Sequence, residues 1–236
     1  MTHLVCGYPD FETNREIVRI MVDAGMDLIE LQIPFSEPIA DGPVILRANQ
    51  LSLQQGTRVA DCLSFMKEVS AQYPIPFLFM TYYNILFSRK VDNFCREAEQ
   101  AGASGLIVPD IPPEEGAEYL KACRDFHLSP ILLMTINSSP ERLRLIAKAG
   151  EGFFYCVARK GVTGPKTHFT QQTIDFIQRC HKATNLPLAV GLGISKREDF
   201  DFLQGKVDIA VIGSAIIRVF EQGGYEALSS FLKGLR

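Results

Sequence analysis

Two hydrophobic patterns alternate along the chain, and a recurring phrase marks the change between them: DAGMDLIEL at 23–31, QAGASGLIV at 100–108, KAGEGFFYC at 148–156 and a looser QGKVDIAVI at 204–212. In each phrase a glycine supplies the left-handed backbone that ends a helix. The unbroken apolar residues that follow suit a parallel strand covered on both faces. Between the phrases, apolar residues recur at helical spacing. The pattern predicts strands near 3–7, 27–31, 76–81, 104–108, 130–134, 152–157, 187–191 and 208–212. Helices are expected near 13–24, 57–72, 90–101, 114–126, 139–149, 170–183, 195–204 and 224–234.

Eight strand–helix units in 236 residues point to α/β architecture as a single (β/α)8 TIM barrel, which typically needs about 250 residues. A doubly wound open sheet fits less well. No GxGxxG opens the first helix, and the count closes at eight with nothing left for a second domain, so residues 1–236 are expected to form one domain. In such a barrel the functional loops follow the strands. Two of them read as long here, 32–56 and 158–169.

Composition narrows the partners. With 47% apolar residues, 22% charged residues and a net charge of −3, the chain is neither a disordered tail nor a protein with a basic nucleic-acid face. Small molecules or proteins are the expected ligands. Six cysteines (6, 62, 95, 123, 156, 180) form no CxxC pair and fall mostly in apolar segments, which reads as buried free thiols in a reducing compartment. No charged-then-apolar leader is present, and no apolar run approaches the roughly 20 residues of a membrane span. The expectation is therefore a cytoplasmic protein with no membrane partner.

The candidate chemistry begins with Glu30, a carboxylate inside the apolar run DLIEL. Alternation puts it on the side of Leu28, opposite Ile29 and Leu31. If that side faces the barrel interior, Glu30 can give and take a proton near neutral pH; otherwise an arginine or backbone amides hold it. Asp41, in IADGP, is first of all turn chemistry. GLGIS at 191–195 and GSAI at 213–216 follow the last two strands, where this fold usually holds a phosphate, and GVTG at 161–164 could add a third arm. Barrels also use glycines merely to turn. The ten lysines (67, 90, 121, 148, 160, 166, 182, 196, 206, 233) fall in predicted helices or loops, which disfavours a Schiff base. Histidines 3, 127, 168 and 181 lack paired metal-ligand spacing, and His127 and His181 read as surface residues. Proton transfer by carboxylates on a phosphorylated substrate remains.

Here the sequence resembles the alpha subunit of tryptophan synthase, over nearly the whole chain. The resemblance is carried by GYPD at 7–10, ELQIPFSEPIADGP at 30–43, YYN at 82–84, VPDIPPEE at 108–115, RKGVTG at 159–164, GLGIS at 191–195 and GSAI at 213–216. It implies a carbon–carbon lyase that cleaves indole-3-glycerol phosphate to indole and glyceraldehyde 3-phosphate without a Schiff base or a metal. It makes Glu30 the general acid/base and Asp41 the partner of the indole N–H. Tyr155, Thr163 and Leu192 would line the substrate site, with Thr163 on a loop that closes over substrate; Tyr155 also reads as a core aromatic beside Phe153 and Phe154. Gly164, Gly193, Gly213 and Ser214 match phosphate-binding positions. The resemblance further implies no cofactor in this chain and a beta subunit, carrying pyridoxal phosphate, joined in an α2β2 heterotetramer. Pro34, Pro38 and Asn84 lie on stretches like its docking face.

The sequence also departs from that pattern. Such proteins usually begin with an extra helix packed under the barrel, whereas this sequence opens on strand one, so a less covered floor is expected. Gln32 stands for the usual glycine, Glu37 for aspartate, Leu192 for phenylalanine, and His3 where an apolar residue often borders the indole pocket. These changes motivate a second reading, a weakly active or inactive alpha-like subunit that activates a beta partner. A third is another phosphate-binding barrel enzyme, such as a sugar-phosphate isomerase.

Overall fold

The computed structural model describes residues 1–157, 171–191, 193–194 and 196–235. Strands β1 (Thr2–Val5), β2 (Ile29–Gln32), β3 (Phe77–Met80), β4 (Gly105–Ile107), β5 (Ser129–Thr135), β6 (Phe154–Val157), β7 (Leu188–Val190) and β8 (Ile209–Ala210) pair in chain order, each parallel to the next. Thr2 then bridges Ile212 in parallel, with His3 N–H donating to Ile212 O and Ile212 N–H to Met1 O, both at 3.0 Å. That bridge brings the last strand back to the first. The result is a closed (β/α)8 barrel with every predicted strand in place.

Alternation along the strands builds two apolar layers. Leu28, Leu78, Met80, Ile107, Ile131, Ala189 and Val211 pack together inside the ring. Ile29, Leu31, Phe77, Phe79, Leu106, Leu132, Phe154 and Val190 face outward under the helices. Covering both faces removes the usual polar alternation, which is why the strands read as continuous apolar runs. Around the ring lie α1 (Phe11–Asp23), α2 (Pro43–Gln54), α3 (Val59–Gln72), α4 (Tyr83–Arg89), α5 (Val91–Gln100), α6 (Ala117–Asp125), α7 (Pro140–Ala149), α8 (Gln171–Ala183), α9 (Arg197–Leu203) and α10 (Ser214–Gly234). Local sequence sets their ends. The Asp10 carboxylate caps α1 by accepting from Thr13 N–H at 2.7 Å, and Gly25 leaves it at φ 74°.

Three helical stretches depart from expectation. The long segment after β2 contains α2, whose buried face is Ile45, Ala48, Asn49 and Ser52 and so lacks an apolar stripe. The short α4 was not expected between β3 and α5. Helix α10 starts at Ser214, ten residues early, and is broken at Gly224, which has φ 65° and ψ −155°. The expected loop 158–169 lies outside the described residues.

All six cysteines are buried and free. A neighbouring thiol and burial hold Cys62, beside Cys6, and Cys123, beside Cys95, well above the ordinary thiol range, and Cys156 beside Cys180 likewise. Such thiols stay protonated and unreactive.

Gly105 shows how tightly the interior is filled. A Cβ there would lie 2.5 Å from the Ser129 carbonyl oxygen, a backbone atom that cannot swing aside. Gly105→Ala is expected to destabilise the protein by about 1–3 kcal/mol, read as a lower urea midpoint at unchanged m.

Candidate active site

Glu30 points into the barrel from β2, and the strand register sets it beside His3 of β1. Both are only 4% exposed. His3 Nδ1 lies 3.0 Å from Glu30 Oε1, so the partner of this carboxylate is an imidazole rather than the arginine or backbone amides considered from sequence. Burial alone would lower the His3 pKa, but the charge and hydrogen bond of Glu30, with the charge of Asp41 behind them, turn the net shift upward from 6.5. His3 therefore holds its proton more tightly than a free imidazole.

Asp41 is 8% exposed in the segment between β2 and α2. It is held in place by more than a turn. Gln32 Nε2 donates to Asp41 Oδ2 at 2.6 Å, and the Tyr82 hydroxyl donates to the same oxygen at 3.1 Å. Tyr82 in turn accepts from Ala40 N–H at 3.1 Å and stacks on Phe35 at 5.1 Å, while Asn49 Oδ1 holds Phe35 N–H at 2.9 Å. Burial pushes the Asp41 carboxyl above the usual range; Gln32, His3 and Tyr82 offset only part of that rise. Burial, then the Asp41 charge, pushes the Tyr82 phenol far up, so it remains a donor.

The two carboxylates line one cavity at the C-terminal mouth of the barrel, of about 770 Å³ counting the space open to solvent. Met80, Ile107, Leu133 and Val211 make much of its wall apolar. Tyr155 belongs to that wall, and burial followed by Glu30 and Asp41 keeps its phenol protonated. Gly191 lets the Tyr155 ring pack closely, since a Cβ there would sit 2.5 Å from the Tyr155 hydroxyl. Gly193, at φ 68°, and Gly213 with Ser214 also border the cavity. Ser214 opens α10, and its hydroxyl accepts from Arg218 Nη1 at 2.8 Å. A Cβ at Gly213 would meet nothing nearer than Ile45 Cδ1 at 3.9 Å, so side chains do not crowd the backbone at this helix start.

Of the residues singled out in the sequence, the fold thus gathers Glu30, Asp41, Tyr155, Gly193, Gly213 and Ser214 around one space. Thr163, Gly164 and Leu192 lie outside the described residues. Gln32 and Tyr82 were missed as the anchors of Asp41; their only signals were a long polar side chain at a strand end and a tyrosine in YYN. On the outer surface Pro34 and Pro38 are buried rather than presented. The same stretches instead expose Ile39, 72% accessible, and Phe87, 67%, beside exposed Glu37 and Asn84. Among the described residues no group of three or more His, Cys, Asp or Glu could hold a metal, no lysine lies on a strand, and no helix is long and apolar enough to cross a membrane.

Residues 1–231 match the family model of the tryptophan synthase alpha chain. The chain belongs to that family. It is 54% identical to the tryptophan synthase alpha chain of Desulforapulum autotrophicum over 235 residues, covering 100% of this chain and 93% of the relative. Among solved structures, tryptophan synthase of Mycobacterium tuberculosis superposes with a TM-score of 0.93 at 32% identity, covering 99% of this chain and 89% of the other. A structure of the tryptophan synthase α2β2 complex of Pyrococcus furiosus, described as showing mutual activation, gives 0.92 at 31% identity, with 99% and 96% covered. Membership places the chain among the alpha subunits of tryptophan biosynthesis, a lyase family. The tryptophan synthase alpha fold accounts for the barrel, and the two buried carboxylates stand at its C-terminal mouth.

Proposed function

We propose that this chain, as one barrel domain, cleaves indole-3-glycerol phosphate to indole and glyceraldehyde 3-phosphate by a retro-aldol reaction. The observation that carries the reading is the pair of buried carboxylates, Glu30 and Asp41, lining one largely apolar cavity that the glycine-led start of α10 also borders. Glu30 delivers a proton to indole C3 and takes up the proton of the side-chain hydroxyl. As the carbon–carbon bond breaks, its electron pair returns to the ring, the hydroxyl carbon becomes the aldehyde, and the protons balance. Asp41 accepts a hydrogen bond from the indole N–H and so stabilises the positive charge that C3 protonation places on the ring. The apolar wall and Tyr155 suit the indole. Gly213 and Ser214, with Gly193, suit the phosphate.

The chemistry needs no Schiff base or metal from this chain, and the described lysines, all on helices or in loops, fit that reading. By analogy with the Pyrococcus furiosus assembly, the partner is a beta subunit in an α2β2 complex, and the exposed Ile39 and Phe87 are suited to an apolar contact with it. Indole release from indole-3-glycerol phosphate by the purified chain, with and without a beta subunit, tests the proposal. Release that rises with the partner is expected. No release in either condition, from folded protein that still stimulates the beta subunit, overturns it in favour of the regulatory reading.

A further inference from the structure

Polar side chains inside a barrel are costly unless they are held, and each one retained there calls for a reason. His3 is such a residue. It stands on β1 at 4% exposure, borders the cavity, and bonds through Nδ1 to Glu30 Oε1. Glu30 Oε2 is buried without a hydrogen-bond partner, whereas the Gln32 side chain reaches the His3 ring, draws its pKa upward, and donates from its amide to Asp41. The arrangement fixes one oxygen of Glu30 and leaves the second unpaired in a residue that borders the cavity. Most buried polar atoms are paired, so an unpaired carboxylate oxygen calls for a reason.

We propose that His3 is a positioning residue for the cleavage reaction: its Nδ1 holds Glu30 Oε1 and so sets the orientation of the carboxylate at the cavity, and its charge governs how readily Glu30 takes up a proton. This rests on the acid/base reading of Glu30. During turnover His3 keeps its proton and its hold on Oε1, while the Glu30 carboxylate takes the hydroxyl proton of the substrate and gives one proton to indole C3, so the protons balance. The titratable groups facing His3 are Glu30 on β2, Asp41 after it and Tyr155 on β6; no lysine or arginine among the described residues lines the cavity.

Two measurements test this. The first follows the His3 ring by NMR across pH in the wild type and in Glu30→Gln, and needs no turnover. Loss of the carboxylate is expected to move the imidazole titration down, and an unchanged titration overturns the coupling. The second compares kcat across pH in the wild type, His3→Asn and His3→Phe. Asn keeps a donor toward Glu30 but cannot titrate, whereas Phe removes both functions and leaves a buried carboxylate unpaired. A fall of about 10- to 100-fold is expected in His3→Phe, with partial rescue in His3→Asn. The alkaline limb of the wild-type profile, above pH 6.5, is expected to vanish in His3→Asn. Wild-type profiles and rates in His3→Asn overturn the proposal even if His3→Phe fails to fold. Absence of wild-type indole release overturns the function proposed for the site instead, which the NMR arm distinguishes.

Discussion

Glu30→Gln is expected to lower kcat for indole release by about 10²- to 10⁴-fold, the span that a positioned general acid/base contributes, while the barrel stays folded. The substitution keeps the shape of the side chain, and the Gln oxygen can still accept from His3 Nδ1, so the buried position remains hydrogen-bonded. What it loses is the capacity to carry a proton between the substrate hydroxyl and the indole ring. Single-turnover measurements separate this from slower product release. Retention of wild-type kcat removes Glu30 from the chemistry. The same variant changes how stability depends on pH. The folded His3 titrates above its ordinary 6.5, so its pairing contributes stability that is fully present below pH 6.5 and is lost as pH rises through the raised value. Thermal melts from pH 6 to 9 are expected to show that decline in the wild type and a shallower one in Glu30→Gln, where the His3 ring has lost its carboxylate partner.

The residues on which these expectations rest differ in how visible they were from sequence. Glu30 stood out because a charge inside DLIEL has no cheap explanation, and its strand was announced by a helix-ending glycine. The barrel followed from repetition of that signal, since parallel strands covered on both faces write themselves as apolar runs. Helix α2 left no such trace. Its sequence opens on Asp-Gly-Pro, which reads as a turn, and its buried face spends two of four positions on Asn49 and Ser52 because those side chains bond to the loop and to the Cys6 carbonyl rather than to apolar neighbours. The start of α10 was hidden for the opposite reason. SAIIRVF is nearly continuous in apolar residues and shows no helical stripe, because Ile216 packs into the layer outside the barrel while Ile217 packs against Val5, Ile45 and Ala48. At the site, the contacts of His3 and Gln32 depend on register between strands far apart in the chain. Nothing local to either residue reveals that His3 meets Glu30, 27 positions away.

Asp41→Asn is the sharper test of how the two carboxylates divide the work, because its fold and its chemistry can be separated on geometric grounds. Both protein donors that fix Asp41, Gln32 Nε2 and the Tyr82 hydroxyl, converge on Oδ2. An Asn side chain satisfies them only by turning its oxygen to that position, which places its NH₂ where Oδ1 was. The anchoring therefore survives, and the thermal midpoint is expected to change little. The group offered to the substrate does not survive: a charged acceptor for the indole N–H becomes a neutral donor aimed at another donor. Since that contact strengthens as positive charge grows on the ring, its loss falls on the transition state more than on binding, and kcat is expected to drop by about 10²- to 10³-fold with a smaller change in KM. The pH profile carries a second signature. Burial raises the Asp41 carboxyl above its ordinary range, so the wild type is expected to lose activity on the acid side earlier than an exposed carboxylate would dictate, and that limb should be missing from whatever activity Asp41→Asn retains. Wild-type turnover in Asp41→Asn removes this residue from the mechanism, and Glu30 would then have to act on the ring without an anion at its nitrogen.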